Sequence, residues 1–185
     1  ELYFPDAATW VEVPALAKNL CAKTRPTHFR GVCTVVSKLF HIAAPDKAFF
    51  GQKDAQQLAV IRRMVRDLNF DLEIVGCPIV READGLAKSS RNTYLNPKER
   101  QAALVLNHSL KKAYSLIEAG ETDTNKLLAV IKECIAAEPL AKLDYAEAVD
   151  ADSMKPLAAV TGNVLFAIAV YIGKTRLIDN FLVSR

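Results

Sequence analysis

The chain has 185 residues, of which 51% are hydrophobic and 24% charged, so it can form one domain with a full core or two small domains. Its formal net charge is only +3, and acids and bases are interspersed, which argues against a nucleic-acid-binding surface. The longest apolar run, Val164 to Ile172, is too short to span a membrane. The first residues lack a basic region and a long apolar stretch, so we expect no signal peptide.

The four cysteines are widely spaced and form no C-x-x-C pair, so a redox pair or a metal site has little support, and we assign no metal ligands. Cys33 and Cys77 have apolar neighbours, and we expect both to be buried, reduced thiols. Because reduced thiols are typical of a reducing compartment, we predict a cytoplasmic protein.

The first part of the chain is predicted to be irregular, with one short helix from Val13 to Cys21 after Pro14. Thr24 to Gly31 is rich in turn-forming and basic residues, which indicates a loop. Apolar residues then recur at helical spacing, which predicts a helix from Val32 to His41.

A βαβ unit is predicted next, with a buried aromatic strand from Lys47 to Phe50 and a second strand from Asp71 to Cys77. Between them, Ala55 to Leu68 carries one apolar helical face. Strands joined in this way are parallel, and ligands of such sheets bind beyond the carboxyl ends of the strands. Gly51 to Asp54 lies at that end, with Asp54 as predicted N-cap, where the N–H groups of a helix start favour phosphate.

A second polar segment runs from Gly85 to Asn92, directly after the acidic turn Glu82 to Gly85. Four consecutive side chains in it supply an ammonium, two hydroxyls and a guanidinium, which together suit an oxyanion. They are Lys88, Ser89, Ser90 and Arg91. The same segment also fits a solvated loop that caps the next helix, which is the more common case for such a segment taken alone.

The rest of the chain is predicted to contain two helices and an antiparallel sheet. Asn96 is the predicted N-cap and Pro97 the first residue of a helix that ends near Ala119, before Gly120. The other predicted elements are a helix from Thr124 to Ala137 and strands from Leu143 to Val149, Asn163 to Ile172 and Thr175 to Asn180, with a hairpin turn at Gly173-Lys174. The composition changes near Val80, where we place a domain boundary.

Three stretches closely resemble the pantothenate synthetase (pantoate–β-alanine ligase) family, and they follow in the family's order: Phe50 to Leu58, Ile74 to Pro78, and Arg81 to Asn92. Arg25 to Val32 matches as well, and Arg176 to Asn180 resembles the family's last strand. The resemblance covers nearly the whole chain. Three long matches in the right order are far more specific than a single glycine-rich loop.

The resemblance implies an α/β fold of the nucleotidyltransferase kind. Residues 1–79 would be the second half of a Rossmann-like domain with a parallel sheet, and residues 80–185 a small α+β lid domain with antiparallel strands. It further implies ATP-dependent condensation of pantoate with β-alanine through a pantoyl adenylate, with Mg²⁺ accompanying the ATP. Members of the family usually form homodimers.

The site residues carried over from the family fall into two groups. The ATP-binding turn is Gly51, Gln52, Lys53 and Asp54, and the phosphate loop is Lys88, Ser89, Ser90 and Arg91. The resemblance gives catalytic roles to Lys53, Ser89, Ser90 and Arg91. It also implies that Gln57 holds pantoate and that the backbone of Val80 contacts adenine. His28 either has a role on the pantoate side or, more commonly for a loop histidine, is satisfied by the neighbouring backbone.

The chain departs from the family pattern at three positions: Gln52 replaces Glu, Thr27 replaces Gly, and Lys88 replaces Met or Leu. The family's opening strand and its H-x-G-H signature for ATP do not occur in this sequence. We therefore expect a fragment, or one part of a larger molecule, that does not turn over alone. Two other interpretations remain: another enzyme of the nucleotidyltransferase superfamily with a different acceptor, and a non-catalytic lid and dimerisation fragment.

Overall fold

The computed structural model describes residues 2–184, which divide into two compact units, one ending at Cys77 and the other beginning at Pro78. The first unit contains a two-stranded parallel sheet and the second a three-stranded antiparallel sheet. The predicted fold class, with both kinds of sheet, is therefore confirmed. No helix within the described residues is long and apolar enough to cross a membrane.

The first unit is built around a βαβ crossover. Its elements are α1 (Cys21–Thr24), α2 (His28–Ala43), β1 (Lys47–Gly51), a 3₁₀ turn (Gln52–Asp54), α3 (Ala55–Asp67) and β2 (Glu73–Cys77). The strands pair in parallel, with Phe49 opposite Val75 and Gly51 opposite Cys77. The carboxyl ends of both strands therefore lie side by side, which is where the 3₁₀ turn begins.

Two amphipathic helices supply the core of this unit. Along α3 the buried apolar residues follow helical spacing, as predicted, and they are Leu58, Val60, Ile61, Met64 and Val65. Phe40 of α2 packs edge-on against the rings of Phe50 and Phe70, with centroid distances of 6.4 and 5.7 Å. Ser37 donates a hydrogen bond to Met64 Sδ at 3.2 Å, so the two helices are also joined by a polar contact.

Three predictions for the first unit are wrong. The helix predicted from Val13 to Cys21 is a series of turns and bends, and the short helix α1 begins only at Cys21. A positive φ of 56° at Leu20 is incompatible with a helix running through that residue. The predicted basic loop is also shorter, because α2 begins at His28 and buries Phe29 one turn before Cys33.

The third error concerns burial. The sequence predicts a buried strand β1, but only its Phe50 face packs against a helix, whereas Phe49 on the opposite face is 66% exposed. Cys77 is half-buried, whereas Cys33 is fully buried as predicted, and all four cysteines are free thiols.

The second unit packs two long helices on one sheet. Its elements are a 3₁₀ helix (Ser90–Tyr94), α4 (Pro97–Ala102), α5 (Leu104–Glu118), α6 (Thr124–Ala136), β3 (Ala141–Asp150), β4 (Asn163–Ile172) and β5 (Thr175–Ser184). The strand β4 is central, pairs antiparallel with both neighbours, and is buried along most of its length. Gly173 closes the β4–β5 hairpin with a φ of 56°, a conformation that favours glycine.

The start of the helical layer confirms one prediction and corrects another. Asn96 Oδ1 accepts hydrogen bonds from the Lys98 and Glu99 N–H groups, and Glu99 accepts from the Asn96 N–H, which forms a complete capping box. The single helix predicted from Pro97 to Ala119 is divided at Ala103, where a ψ of −18° gives the backbone 3₁₀ character. The strand β5 also continues to Ser184, beyond the predicted end.

Burial of Cys33 predicts a specific dependence of stability on pH. Desolvation raises the pKa of this thiol from 9.0 to about 11, so above pH 9 the unfolded chain loses the proton first and the folded state is disfavoured. Between pH 8 and 10.5 this costs about 2 kcal/mol. The cost of Cys33→Ala, measured by urea unfolding with fluorescence of the single tryptophan, Trp10, should therefore shrink over that range. Val36→Ala, which removes volume but no proton, should show a constant cost; an equally constant cost for Cys33→Ala would contradict the prediction.

Candidate functional site

The turn after β1 places a lysine between a strand end and a helix start. Gly51 is still extended, Gln52 to Asp54 form one 3₁₀ turn, and α3 follows directly. Asp54 occupies the predicted N-cap position, but its side chain makes no capping hydrogen bond. No side chain of the described residues therefore caps the amino end of α3, and backbone N–H groups at a helix start favour anions.

A glycine on β2 allows two nitrogen-bearing side chains to cross the sheet next to this turn. A Cβ at Gly76 would lie 2.9 Å from Arg62 Nη2 and 3.5 Å from Gln52 Nε2. Any side chain at this position would push the Arg62 guanidinium and the Leu58 methyl away. The predicted site residue Gln52 is thus placed at the carboxyl end of the sheet, near a guanidinium that sequence reasoning did not identify.

Two adjacent glutamines at the start of α3 have different environments. Gln56 is 5% exposed, and its amide donates to the carbonyls of Leu16 and Asn19 and accepts from the Cys21 N–H. It holds the irregular segment that precedes α1. Gln57, the predicted pantoate-binding residue, is half-buried and makes no side-chain hydrogen bond within residues 2–184. Its amide therefore remains available to a ligand.

In the second unit, a tight hairpin leads into the predicted phosphate loop. Arg81 and Ala87 form an antiparallel bridge, the Lys88 N–H donates to Val80 at 2.9 Å, and the Glu82 N–H donates to Leu86 at 2.8 Å. The carbonyl of Val80, the predicted adenine contact, is thus used within the hairpin, while its side chain is 63% exposed.

The hairpin is fixed to β5 by an ion pair that sequence reasoning missed. Arg81 donates to both carboxylate oxygens of Asp179, at 2.7 and 2.9 Å, and the Asp179 side chain is 1% exposed. The only sequence signal was an aspartate that follows two apolar residues, Leu177 and Ile178, in a predicted strand. A buried charge of this kind requires a partner, but the sequence does not say which arginine supplies it.

The four residues of the Lys88–Arg91 loop lie together at the start of the 3₁₀ helix. Ser89 Oγ accepts from the Arg91 N–H at 3.3 Å, and Arg91 Nη1 donates to the Arg176 carbonyl at 3.3 Å. Lys88 Nζ lies 3.9 Å from a Glu82 carboxylate oxygen, and its side chain is more than half exposed. Ser90 is also exposed, so ammonium, hydroxyl and guanidinium groups all reach solvent here.

Arg91 differs from the other arginines between residues 78 and 184. Arg81, Arg100 and Arg176 each form an ion pair with an aspartate, namely Asp179, Asp84 and Asp144. The Arg100 contact also holds the pKa of the Asp84 carboxyl below its usual value. Arg91 has only a neutral carbonyl as partner within the described residues. Its positive charge is therefore not compensated, as an anion site requires.

Two of the three histidines, His28 and His41, contact neighbouring residues of the first unit. His28 begins α2 with its ring 5.0 Å from that of Phe29, and His41 Nδ1 lies 2.7 Å from the Ser37 carbonyl oxygen. Within the described part of the chain, no three His, Cys, Asp or Glu side chains converge on a possible metal position.

A parallel βαβ unit, followed by a second unit with helices on an antiparallel sheet, defines an α/β protein with two polar segments that carry basic side chains. The family model for pantoate-beta-alanine ligase matches residues 1–182, and the chain belongs to this family. Pantothenate synthetase of Clostridium acetobutylicum is 59% identical over 181 residues, covering 98% of this chain and 64% of the relative. The Enterococcus faecalis enzyme is 57% identical with the same coverage.

Solved structures agree with the family assignment. Pantothenate synthetase from Thermus thermophilus has a TM-score of 0.91 at 42% identity, covering 98% of this chain and 66% of that one. Pantoate-beta-alanine ligase from Francisella tularensis, complexed with beta-gamma ATP and beta-alanine, has a TM-score of 0.66 at 33% identity, covering 96% and 60%. The chain spans 64% of the length of the curated relatives it matches.

Substitution of each of the two glutamines of α3 tests whether its side chain stabilises the fold or remains available to a ligand. Gln56→Ala removes three hydrogen bonds and leaves the Leu16 carbonyl and the Cys21 N–H without the partner they have in wild type, whereas the Asn19 carbonyl still accepts from the Ala22 N–H. The variant should destabilise the first unit by about 2 kcal/mol, measured by urea unfolding. Gln57→Ala, one position further, should change stability by less than about 0.5 kcal/mol. Equal costs for the two variants would show that Gln57 is also structural.

Proposed function

We propose that this chain supplies ATP- and pantoate-binding residues of a pantoate–β-alanine ligase, an AMP-forming carbon–nitrogen ligase. The observation that carries the proposal is the turn from Gly51 to Asp54, which places Lys53 between the carboxyl end of a parallel strand and the start of α3. Membership of the family supports ATP, pantoate and β-alanine as the substrates. The relative from Francisella tularensis, complexed with beta-gamma ATP and beta-alanine, supports two of these three.

The reaction consists of two substitutions. In the first, a carboxylate oxygen of pantoate attacks the α-phosphorus of ATP, the bond from that phosphorus to the bridging oxygen breaks, and pyrophosphate leaves. In the second, the β-alanine amine attacks the carbonyl carbon of pantoyl adenylate, AMP leaves with the bridging oxygen, and the amine loses a proton. Both steps develop negative charge on phosphate oxygens, so positioned cationic donors stabilise their transition states.

The residues of the first unit take the following roles in this proposal. Lys53 binds phosphate oxygens whose charge increases as pyrophosphate leaves, and Gly51 and Gln52 shape the turn around them. Asp54 accepts hydrogen bonds from ribose hydroxyls. Gln57 holds pantoate, because its amide both donates and accepts and has no other partner within residues 2–184.

The Lys88–Arg91 loop of the second unit binds phosphate as well. The support for this is the uncompensated charge of Arg91, the exposed hydroxyl of Ser90, and the exposed ammonium of Lys88. Ser89 shapes the loop through its hydrogen bond from the Arg91 N–H and contributes a hydroxyl. The backbone of Val80 contacts adenine.

Mg²⁺ accompanies ATP in this proposal. This ion is commonly held by substrate phosphates, water and one or two carboxylates, so it would arrive with the nucleotide. When bound, it neutralises part of the phosphate charge.

We further propose a cytoplasmic location and a homodimeric state. Light scattering of the purified protein tests the homodimer.

Calorimetric titration with Mg·ATP tests the proposed role of Lys53. The chain should bind with measurable heat, and Lys53→Ala should weaken binding roughly 10- to 100-fold, because a charge-assisted contact to phosphate is lost. Lys47→Ala is the matched control, since Lys47 lies at the other end of β1 in an exposed ion pair with Glu73. Its affinity should stay within about twofold of wild type.

Two results would count against the proposal. Equal weakening by Lys53→Ala and Lys47→Ala would indicate a general charge effect and not a site at the turn. The second result has two parts: pantoate leaves the ATP affinity unchanged, and Gln57→Ala is indistinguishable from wild type. Together they would favour a nucleotidyltransferase with a different acceptor.

A further inference from the structure

A buried carboxylate in the second unit is bound by one arginine with near-ideal geometry. Asp179 of β5 accepts from Arg81 Nη1 at 2.7 Å and Nη2 at 2.9 Å, and also from the Asn180 N–H at 2.8 Å. The side chain of Asp179 is 1% exposed, against 28% for Arg81. Such a two-pronged contact fixes both the position and the orientation of the guanidinium plane.

The same guanidinium also holds the turn of the hairpin. Arg81 Nη1 donates a further hydrogen bond to the Gly85 carbonyl at 3.0 Å. Arg81 is paired with Ala87 across the hairpin, one residue before the Lys88–Arg91 loop. The side chain of Arg81 therefore connects β5 to the tip of the hairpin, and its backbone is paired with Ala87, from which the loop continues.

Two side-chain hydrogen bonds attach the carboxyl end of the loop to this frame. Asn92 Nδ2 donates to the Ala87 carbonyl at 3.2 Å, which ties the 3₁₀ helix back to the hairpin. Arg91 Nη1 donates to the Arg176 carbonyl on β5, the strand that also carries Asp179. The loop is therefore connected to β5 directly through Arg91 and indirectly through the hairpin. Of these connections, only the Arg81–Asp179 pair joins opposite charges, and its carboxylate is buried.

We propose that Arg81 and Asp179 are positioning residues for the Lys88–Arg91 loop. The proposal rests on the phosphate-binding role assigned to that loop above. Phosphate donors are effective when they are held in place before the ligand arrives, and exposed lysine, serine and arginine side chains gain this order only from their backbone. The buried pair supplies that order without touching the nucleotide.

Amide hydrogen exchange separates this role from a general contribution to folding. Arg81→Lys keeps the charge but loses the fork, and Asp179→Asn keeps the shape but loses the charge. In both variants the amides of residues 87–92 should exchange at least about tenfold faster, while the buried amides of β4 change by less than about threefold. Equal acceleration in β4 and the loop, or unchanged exchange in the loop, would overturn the proposal.

A control on the same hairpin sharpens the comparison. Asp84→Asn removes the exposed ion pair with Arg100 but leaves Arg81 and Asp179 intact. Its loop amides should exchange as in wild type, within about twofold. Acceleration equal to that in Arg81→Lys would assign the ordering to hairpin charges in general and would also overturn the proposal.

Binding of Mg·ATP then tests the link to function through a double-mutant cycle. Arg81→Lys should weaken binding about tenfold in the wild-type background and much less in an Arg91→Ala background, because it acts through the position of Arg91. Additive effects would overturn the positioning role. If Arg91→Ala does not weaken binding while the loop amides respond as expected, the phosphate role of the loop fails, but control of its position by Arg81 and Asp179 stands.

Discussion

The second unit depends most on one buried charge, the carboxylate of Asp179 on β5. Asp179 is 1% exposed, and a carboxylate at such a position requires a partner charge in a fixed place, because water does not solvate it. The guanidinium of Arg81 must therefore stay where β5 presents the carboxylate, and the hairpin that carries Arg81 has to follow.

In the first unit, the buried polar group that requires partners is an uncharged amide. Gln56 is buried at the start of α3 and satisfies two carbonyls and one N–H of the segment before α1. Because burial of an unpaired amide is costly, this segment is fixed to the same helix turn that follows Lys53. Beside it, Gly76 leaves the space in which Gln52 and Arg62 lie across β2. Close packing at Gly76 and the hydrogen bonds of Gln56 thus fix the two sides of the turn.

The sequence correctly predicted the elements that are determined by residues close together in the chain. The parallel pair β1 and β2, the helix α3, the bounds of β4 and the cap at Asn96 all follow from residue periodicity or from a capping sequence a few residues long. The errors come from distant contacts. Gln56 organises residues 40 positions earlier, where the sequence predicts a helix, and Arg81 and Asp179 are 98 positions apart. No periodic pattern connects such residues, so the sequence identified the polar loop but not what holds it.

The group that an arginine contacts distinguishes arginines that stabilise the fold from those that are available for binding. Between residues 78 and 184, an arginine that faces an aspartate is already neutralised and serves the fold, as for Arg81, Arg100 and Arg176. Arg91 donates only to a carbonyl, which orients the guanidinium but leaves its charge in place. In the proposed function, an incoming phosphate is therefore attracted by Arg91 without having to displace a competing carboxylate within residues 78–184. In the proposed arrangement, the buried Asp179 fixes Arg81, and Arg81 holds the loop that carries Arg91. The loop is thus held in place while the positive charge of Arg91, which has no aspartate partner within residues 78–184, remains available.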